Sequence, residues 1–457
     1  MATFFFCGIG GIGMSAIALY LKKAGHHVIG SDRSFDNHQH NAVKDNLISN
    51  KILLVPQNGT GVNQDIDIFV VSSAVEETIP DVKRAKELNL TIKKRAQILA
   101  DIFHAHRGIA IGGTSGKTTV TAMIGHILDQ TNRHPTMING GIGLNTYNGE
   151  SPSNLIFGTS DLCVIEADES DGSIALYSPY IGVLTNVSLD HKPISETIPL
   201  FSDFLNRSQK GIVINADCIY TPQLTLTHAN IISFSAAGQK ATLSTENVIY
   251  DSTGIRFVLR GQSYHLPFIG KHNLENALAA IGACLHLEIS VEESINALQT
   301  FLGTKRRLQT IGTINGITVI DDYAHNTEKI KASLSALQLH KGRLFVIYQP
   351  HGFSPLRIMK DDLIHLLQNR LDSRTVWIMN DIFYAGGTVT RDISSNDVIQ
   401  PVQESGKQAY YIPTRAKILT FLKQHVQSGD RIVIMGARDD TLTDFANQIL
   451  LQLGGKE

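Results

Sequence analysis

The sequence is poor in cysteine: Cys7, Cys163, Cys218 and Cys284 are all it has, and no two form a CxxC pair. That excludes a disulfide-stapled scaffold and argues against a zinc site; buried free thiols in a reducing compartment are expected. Neither sign of charge is in excess. The formal net charge of −2 leaves no basic footprint for nucleic acid or for an anionic membrane. No apolar run approaches the length that spans a bilayer. The N-terminus starts straight into TFFFC and glycines, without the basic region and long apolar stretch of a signal peptide. Short-period repeats and low-complexity tracts are also missing, which excludes a solenoid. These absences predict a cytoplasmic globular protein with no nucleic-acid partner and no membrane insertion; they leave oligomeric state open. At 457 residues the chain is too long for one core, and length suggests about three domains.

What is present is alternation of strand and helix. TFFFCGIGGIGMSAIALYLKKAG reads strand, tight turn, helix; HHVIGSD and DIFVVSSAV read as further strands. This is the pattern of a parallel α/β sheet. A new strand, GIAIGG, opens after residue 106, and LCVIEADESDGS, YIGVLTNVSLDH and GIVINADC follow as buried strands ending in polar residues. The stretch from about 230 to 268 reads as a small β excursion with short alternating runs. After GTKRRLQ, the strands TVIDD, RLFVIYQPHG, TVWIMNDIF and RIVIMGARDD form a third α/β block. The predicted fold is α/β with three domains: an N-terminal Rossmann-like parallel sheet over 1–106, a central P-loop ATPase domain over 107–302, and a C-terminal Rossmann-like domain over 303–457. In open α/β sheets, ligands sit beyond the C-terminal ends of the strands.

Gly8, Gly10, Gly11 and Gly13 lie in a GxGxxG run between a strand and a helix, and Asp32 closes the next strand. Glycines let backbone approach a pyrophosphate at a helix N-terminus. NAD and a UDP-sugar satisfy that chemistry equally. Ser72 and Ser73, at the end of VVSSAV, are candidate second contacts, and they read as readily as ordinary polar residues after a strand.

The second motif is Gly113-Thr114-Ser115-Gly116-Lys117-Thr118-Thr119, again between strand and helix. The strict Walker pattern fails at Ile111, where glycine is required. The working parts remain: backbone N–H groups for phosphates, Lys117 for the β/γ oxygens, and the Thr118 hydroxyl for Mg²⁺. Binding of a nucleoside triphosphate follows. Glu166, just after LCVI, offers Mg²⁺ a hard oxygen ligand beside the loop. Asp168 and Asp171, taken singly, read as a solvated acidic loop. His191, after TNVSLD, stands just past a strand and suits metal ligation or a substrate contact.

GTSGKTT, EADESD, TNVSLDH, GKHNLENALAA, GTKRR and DDYAHN, in that order, resemble the ATP-dependent Mur ligases of peptidoglycan synthesis, across essentially the whole chain. FCGIGGIGMSAIA followed by GSD is similar to the branches that act on UDP-N-acetylmuramate, adding either L-alanine or a ready-made tripeptide. The resemblance implies that a substrate carboxylate attacks ATP to give an acyl phosphate, which an amine then displaces. It implies that Thr118 and Glu166 hold one Mg²⁺, and that Glu166 and His191 help hold a second ion. His272, Asn273 and Asn276 match a segment contacting adenine and the substrate side; Arg306 and Asp321 match residues reaching the nucleotide across a cleft that closes by domain rotation. Read without the resemblance, Asn273 and Asn276 are a helix cap and a surface residue, Arg306 is a linker charge, and Asp321 caps a turn.

Two departures stand out. Ser115 replaces a histidine usual in the alanine-adding branch. In YQPHGFSPLR, Gly352 and Pro355 stand where that branch has arginines for the incoming carboxylate. Arg357 is the nearby substitute, and Tyr323, His325 and His351 keep an acceptor site. The departure leaves the amine open: L-alanine, another amino acid or a peptide. Two readings of other classes compete. An NAD(P)-binding oxidoreductase fused to an NTPase accounts for GxGxxG and Asp32, but leaves EADESD and DDYAHN unexplained. A non-catalytic homologue is opposed by intact Lys117, Thr118, Glu166 and His191.

Overall fold

The computed structural model describes residues 1–36, 42–72, 75–147, 153–189, 193–384 and 390–455. Three sheets form, each dominated by parallel pairing. The chain condenses into two compact units: residues 1–246, 258–264 and 275–303 make the first, and residues 247–257, 265–274 and 304–457 the second.

The first unit holds two sheets. The N-terminal sheet is five-stranded and runs Leu53–Val55, His27–Ser31, Thr3–Cys7, Ile68–Val71, Thr91–Lys94, all parallel. Its central strand is buried because helices cover both faces, which is why TFFFC is a continuous apolar run. The expected break near residue 106 separates two sheets but not two compact bodies. The helix Arg95–His104 buries Ile98, Leu99, Ile102 and Phe103 in one apolar cluster that joins Phe4, Phe6 and Ile17 to Ile165, Phe201 and Phe204. Tyr20 also packs its ring 5.4 Å from that of Phe157.

In the central sheet, Arg107–Gly112 lies between Ile181–Leu184 and Leu162–Glu166. Two register pairs set the site: Ile111 opposite Glu166 and Gly112 opposite Leu184. The loop after Gly112 therefore emerges between the segments that begin at Glu166 and at Thr185. The first strand of the expected β excursion, Ile231–Ser235, is not separate: it pairs in parallel with Gly211–Asn215. Leu243–Asp251, Gly254–Leu259 and Gln262–Leu266 are the further strands of that excursion.

The second unit has a six-stranded sheet in the order Gln309–Ile314, Ile317–Asp322, Arg431–Met435, Leu344–Tyr348, Thr375–Met379, Ala409–Tyr411. Only its first pair is antiparallel. Met435 stands opposite both Asp322 and Tyr348. The register thus gathers three strand ends, DDYAH, YQPHG and MGARDD, at one edge. Asn326 then caps the helix Thr327–Leu337, its side chain accepting from Lys329 N at 3.0 Å.

Candidate active site

The phosphate loop is shaped by two glycines at positive φ and held by the neighbouring strand end. Gly113 and Gly116 have φ of +127° and +88°, which side-chain-bearing residues rarely adopt. At Gly113 a Cβ would lie 2.1 Å from Thr185 Oγ1, and at Gly116 2.5 Å from Asn276 Oδ1. Thr114 N donates to Asn186 O at 3.1 Å and Ser115 N to Asn186 Oδ1 at 3.0 Å. Thr185 Oγ1 and Asn186 Nδ2 both donate to Ser115 O, at 2.6 and 2.9 Å. Ile111 is fully buried in the strand, so the missing Walker glycine falls on a core position and the turn begins two residues later. Lys117, Thr118 and Thr119 open the helix Lys117–Gln130.

One carboxylate of the acidic loop, Glu169, is enclosed. Lys117 Nζ donates to Gly113 O at 2.7 Å and to Glu169 Oε2 at 2.7 Å. The two side chains of that pair are 14% and 7% exposed. Asp168 Oδ1 lies 4.0 Å from the same ammonium. Burial pushes the Asp168 carboxyl up, but the Lys117 charge and hydrogen bonds from Ser170 outweigh it and leave its pKa lowered. Asp171 pairs with Arg95 at 3.5 Å. Asp168 and Asp171 stay open to solvent as expected and gain cation partners at the two ends of the loop, while Glu169 between them is buried.

Glu166 takes a hydrogen bond from Gly140 N at 2.9 Å, and Asn139 Nδ2 donates to Thr118 O at 3.1 Å. Asn139 and Gly140 thus tie the helix that carries the Thr118 hydroxyl to the Glu166 carboxylate. A Cβ on Gly140 would sit 2.9 Å from Glu166 Oε1. Hydroxyl and carboxylate oxygens are the donors Mg²⁺ prefers. Among the described residues no group of three His, Cys, Asp or Glu side chains gathers as a ready metal cage. His191 lies outside the described residues, as does Ser73.

In the N-terminal sheet, Gly8 N and Ile9 N donate to Ser31 O at 2.8 and 3.0 Å, and Gly8 has φ of +83°. Asp32 holds this loop itself: its Oδ2 accepts from Gly10 N at 2.9 Å and its Oδ1 from Ser34 N at 2.9 Å. Gly11 N closes the turn onto Gly8 O at 3.3 Å. A Cβ on Gly13 would lie 3.2 Å from Arg95 Nη1, which puts a guanidinium beside the N-terminus of the helix Ile12–Lys23. Ser72 follows the strand Ile68–Val71, and its carbonyl accepts from Val75 N at 3.2 Å.

In the second unit, Arg306 and Asp321 meet. Arg306 Nε lies 3.4 Å from Asp321 Oδ1, its Nη2 donates to Gly436 O at 2.8 Å, and Thr443 Oγ1 donates to Asp321 Oδ2 at 2.6 Å. Both residues are buried. The guanidinium of Arg306 also stacks 5.0 Å from the Tyr323 ring. His325 Nδ1 is 2.8 Å from Tyr323 O; a carbonyl only accepts, so Nδ1 carries the proton and Nε2 is the acceptor, 3.5 Å from Lys329 Nζ. Burial, then Lys329, pushes the His325 pKa down to about 3. His351 packs 5.1 Å from it and is pushed down to about 4 by burial, Arg438 and Lys329. His272 falls to about 4 through burial and Arg307, and Asn273 Nδ2 donates to Ile269 O at 2.9 Å. Asn276, further along the same helix, meets the phosphate loop. Arg357 is turned to Asp392, with which it forms an ion pair, and to Thr390 O at 3.1 Å.

Sequence reasoning missed Asn139, Gly140, Arg95 and Asn186, and read Glu169 only as part of a solvated acidic loop, whereas it is buried against Lys117. The NGG that follows the strand Thr136–Ile138 was a usable signal for Asn139 and Gly140, and TNVS for Asn186. The EADESD run marked Glu169 but not its partner, and nothing local marked Arg95; the partners of both are distant in sequence.

Three family models match the chain: "Mur ligase family, catalytic domain" over residues 3–107, "Mur ligase middle domain" over 111–284, and "Mur ligase, glutamate ligase domain" over 306–438. The UDP-N-acetylmuramate–L-alanine ligase of Clostridium novyi is 33% identical over 451 residues, covering 95% of this chain and 94% of the relative. That of Lachnospira eligens is 34% identical, covering 95% of each. Among solved structures, the UDP-N-acetylmuramate-alanine ligase of Thermotoga maritima superposes with a TM-score of 0.80 at 24% identity over 98% of both chains. A murein peptide ligase of Psychrobacter arcticus superposes with a TM-score of 0.70 at 21% identity over the full length of both. With its phosphate loop and three strand-end loops in place, and with relatives of this identity along nearly their whole length, the chain belongs to the Mur ligase family of ATP-dependent ligases.

Proposed function

We propose that this protein joins L-alanine to the carboxylate of UDP-N-acetylmuramate, with ATP converted to ADP and phosphate. The observation that carries the reading is full-length similarity to ligases named for that reaction, together with a phosphate loop whose lysine is held by Gly113 O and Glu169. A sugar carboxylate oxygen attacks the γ-phosphorus and ADP leaves, giving an acyl phosphate. The amine nitrogen then attacks the carbonyl carbon, phosphate departs with the C–O bond electrons, and the nitrogen loses a proton.

Gly113 to Thr119 cradle the triphosphate, and Lys117 stabilises charge on the transferred group. Thr118 and Glu166, with His191, are assigned to Mg²⁺, which supplies Lewis-acid polarisation of phosphate oxygens. Gly8, Gly10, Gly11, Gly13, Asp32, Ser72 and Ser73 are assigned to the sugar nucleotide, with Asp32 acting by shaping the turn. His272, Asn273 and Asn276 are assigned to ATP, and Arg306 and Asp321 to support of its site. Tyr323, His325 and His351 are assigned to the acceptor; the neutral Nε2 of His325 offers the amine a hydrogen-bond acceptor. The segments 1–106, 107–302 and 303–457 are assigned to the sugar nucleotide, to ATP and to the acceptor in order, with Arg306 and Asp321 of the third serving ATP. ATP dependence and free cysteines support a cytoplasmic setting.

A peptide acceptor is the second reading, favoured by Gly352 and Pro355 in place of arginines. The test is phosphate release with ATP, Mg²⁺ and UDP-N-acetylmuramate against L-alanine, glycine, L-serine and the wall tripeptide. Release that needs both the sugar nucleotide and L-alanine is expected; release with tripeptide alone moves the protein to recycling. Glu166→Ala and His191→Ala are expected to abolish ligation while leaving UDP-sugar binding nearly intact; wild-type turnover in either would reject the metal assignment.

A further inference from the structure

An amino-acid acceptor brings a carboxylate that must stay unreacted, and an unreacted carboxylate needs a cation or oriented N–H groups. This inference rests on the proposed function. Within the second unit, Arg357 already has a counter-ion in Asp392, and its side chain lies on the exposed flank of the helix Phe353–Arg370. Arg391 is its opposite. Its guanidinium carbon stands 4.0 Å from the Tyr384 ring centroid and 6.0 Å from that of Phe353, and no carboxylate pairs with it among the described residues.

Phe353 is the first residue of that helix, whose N-cap, Gly352, offers no side-chain hydrogen bond. The two rings therefore flank a guanidinium that has no carboxylate partner among the described residues. Stacking on rings leaves the guanidinium edge, with its N–H donors, for bidentate pairing. The neighbouring His351 adds a buried Nδ1 with no hydrogen-bond partner. Gly352, with φ of +157°, has no side chain to occupy the same space.

We propose that Arg391 holds the free carboxylate of the incoming amino acid, with Tyr384 and Phe353 as its platform. It is a substrate-binding, specificity-determining residue, and it replaces from a different loop the positive charge that positions 352 and 355 lack.

The test is steady-state kinetics of wild type, Arg391→Ala, Arg391→Lys and Arg357→Ala, with L-alanine and L-alaninamide as competing acceptors. Arg391→Ala is expected to raise KM for L-alanine about 100-fold, the loss of one charge-assisted bidentate contact, with KM for ATP and UDP-N-acetylmuramate within about twofold of wild type, since only the acceptor contact changes. Arg391→Lys is expected to recover part of the loss. The wild type is expected to prefer alanine to its amide, and Arg391→Ala to lose that preference. An unchanged preference in Arg391→Ala, or its loss in Arg357→Ala instead, overturns the assignment. A wild type that releases no phosphate with L-alanine overturns the functional reading itself, and this inference with it.

Discussion

Glu169→Gln removes one charge from the enclosed ion pair of the phosphate loop and keeps the side-chain shape. The pair is 2.7 Å apart, with its side chains 14% and 7% exposed. At that distance and an effective dielectric of about 20, the gross attraction is about 6 kcal/mol. Most of it offsets the cost of taking both groups out of water. Removing one partner of a buried pair costs about 3–5 kcal/mol. Glutamine still offers an amide oxygen to the ammonium, and Lys117 keeps its 2.7 Å bond to Gly113 O, so the expected loss is about 2 kcal/mol, or about 2–4 °C in Tm for a unit of this size. ATP reverses the sense of the change. Its phosphates compete with Glu169 for one ammonium, so the variant is expected to bind ATP about tenfold more tightly, an effect of about 1.4 kcal/mol. Thermal melts with and without Mg-ATP, and calorimetric titration of the nucleotide, read both effects. A variant that melts with the wild type, or whose ATP affinity falls, would refute the view that Glu169 and phosphate share Lys117.

Three further outcomes are expected. Gly113→Ala places a methyl 2.1 Å from Thr185 Oγ1 at φ of +127°. It should cost about 3 kcal/mol in denaturant unfolding through backbone strain and a lost hydrogen bond, and abolish ATP turnover; a loss below about 1 kcal/mol would count against the loop geometry. Gly140→Ala crowds the Glu166 carboxylate at 2.9 Å and should raise the Mg²⁺ needed for half-maximal turnover about tenfold; an unaltered Mg²⁺ titration would separate Glu166 from the metal. His325 and His351, held neutral to about 3 and about 4 against an ordinary 6.5, bind fewer protons folded than unfolded. Stability should therefore rise with pH through the window between about 4 and 6.5 and be lost as pH falls through it. His325→Gln should flatten that slope in melts from pH 7 to pH 5, and an unchanged slope would contradict the burial.

By itself the sequence determined the parts that are contiguous. A phosphate loop is one strand end, one turn and one helix start, so Gly113 to Thr119 are recognisable in a single stretch, and the same holds for Gly8 to Gly13. Strand ends were legible because parallel strands covered by helices are continuous apolar runs that stop at polar residues; this located Glu166, Asp321 and His351. Tertiary structure alone decided which strand ends are neighbours, and with that which charges meet. Lys117 finds Glu169 across 52 residues because Ile111 pairs with Glu166. Arg95 finds Asp171 across 76 residues because a shared apolar core fuses two sheets that composition would separate. Arg357 is tied to Asp392 and Arg391 is left stacked on rings, a difference that no spacing rule encodes. Local periodicity specifies elements, while the partner of a charged side chain is fixed by packing that brings distant residues together.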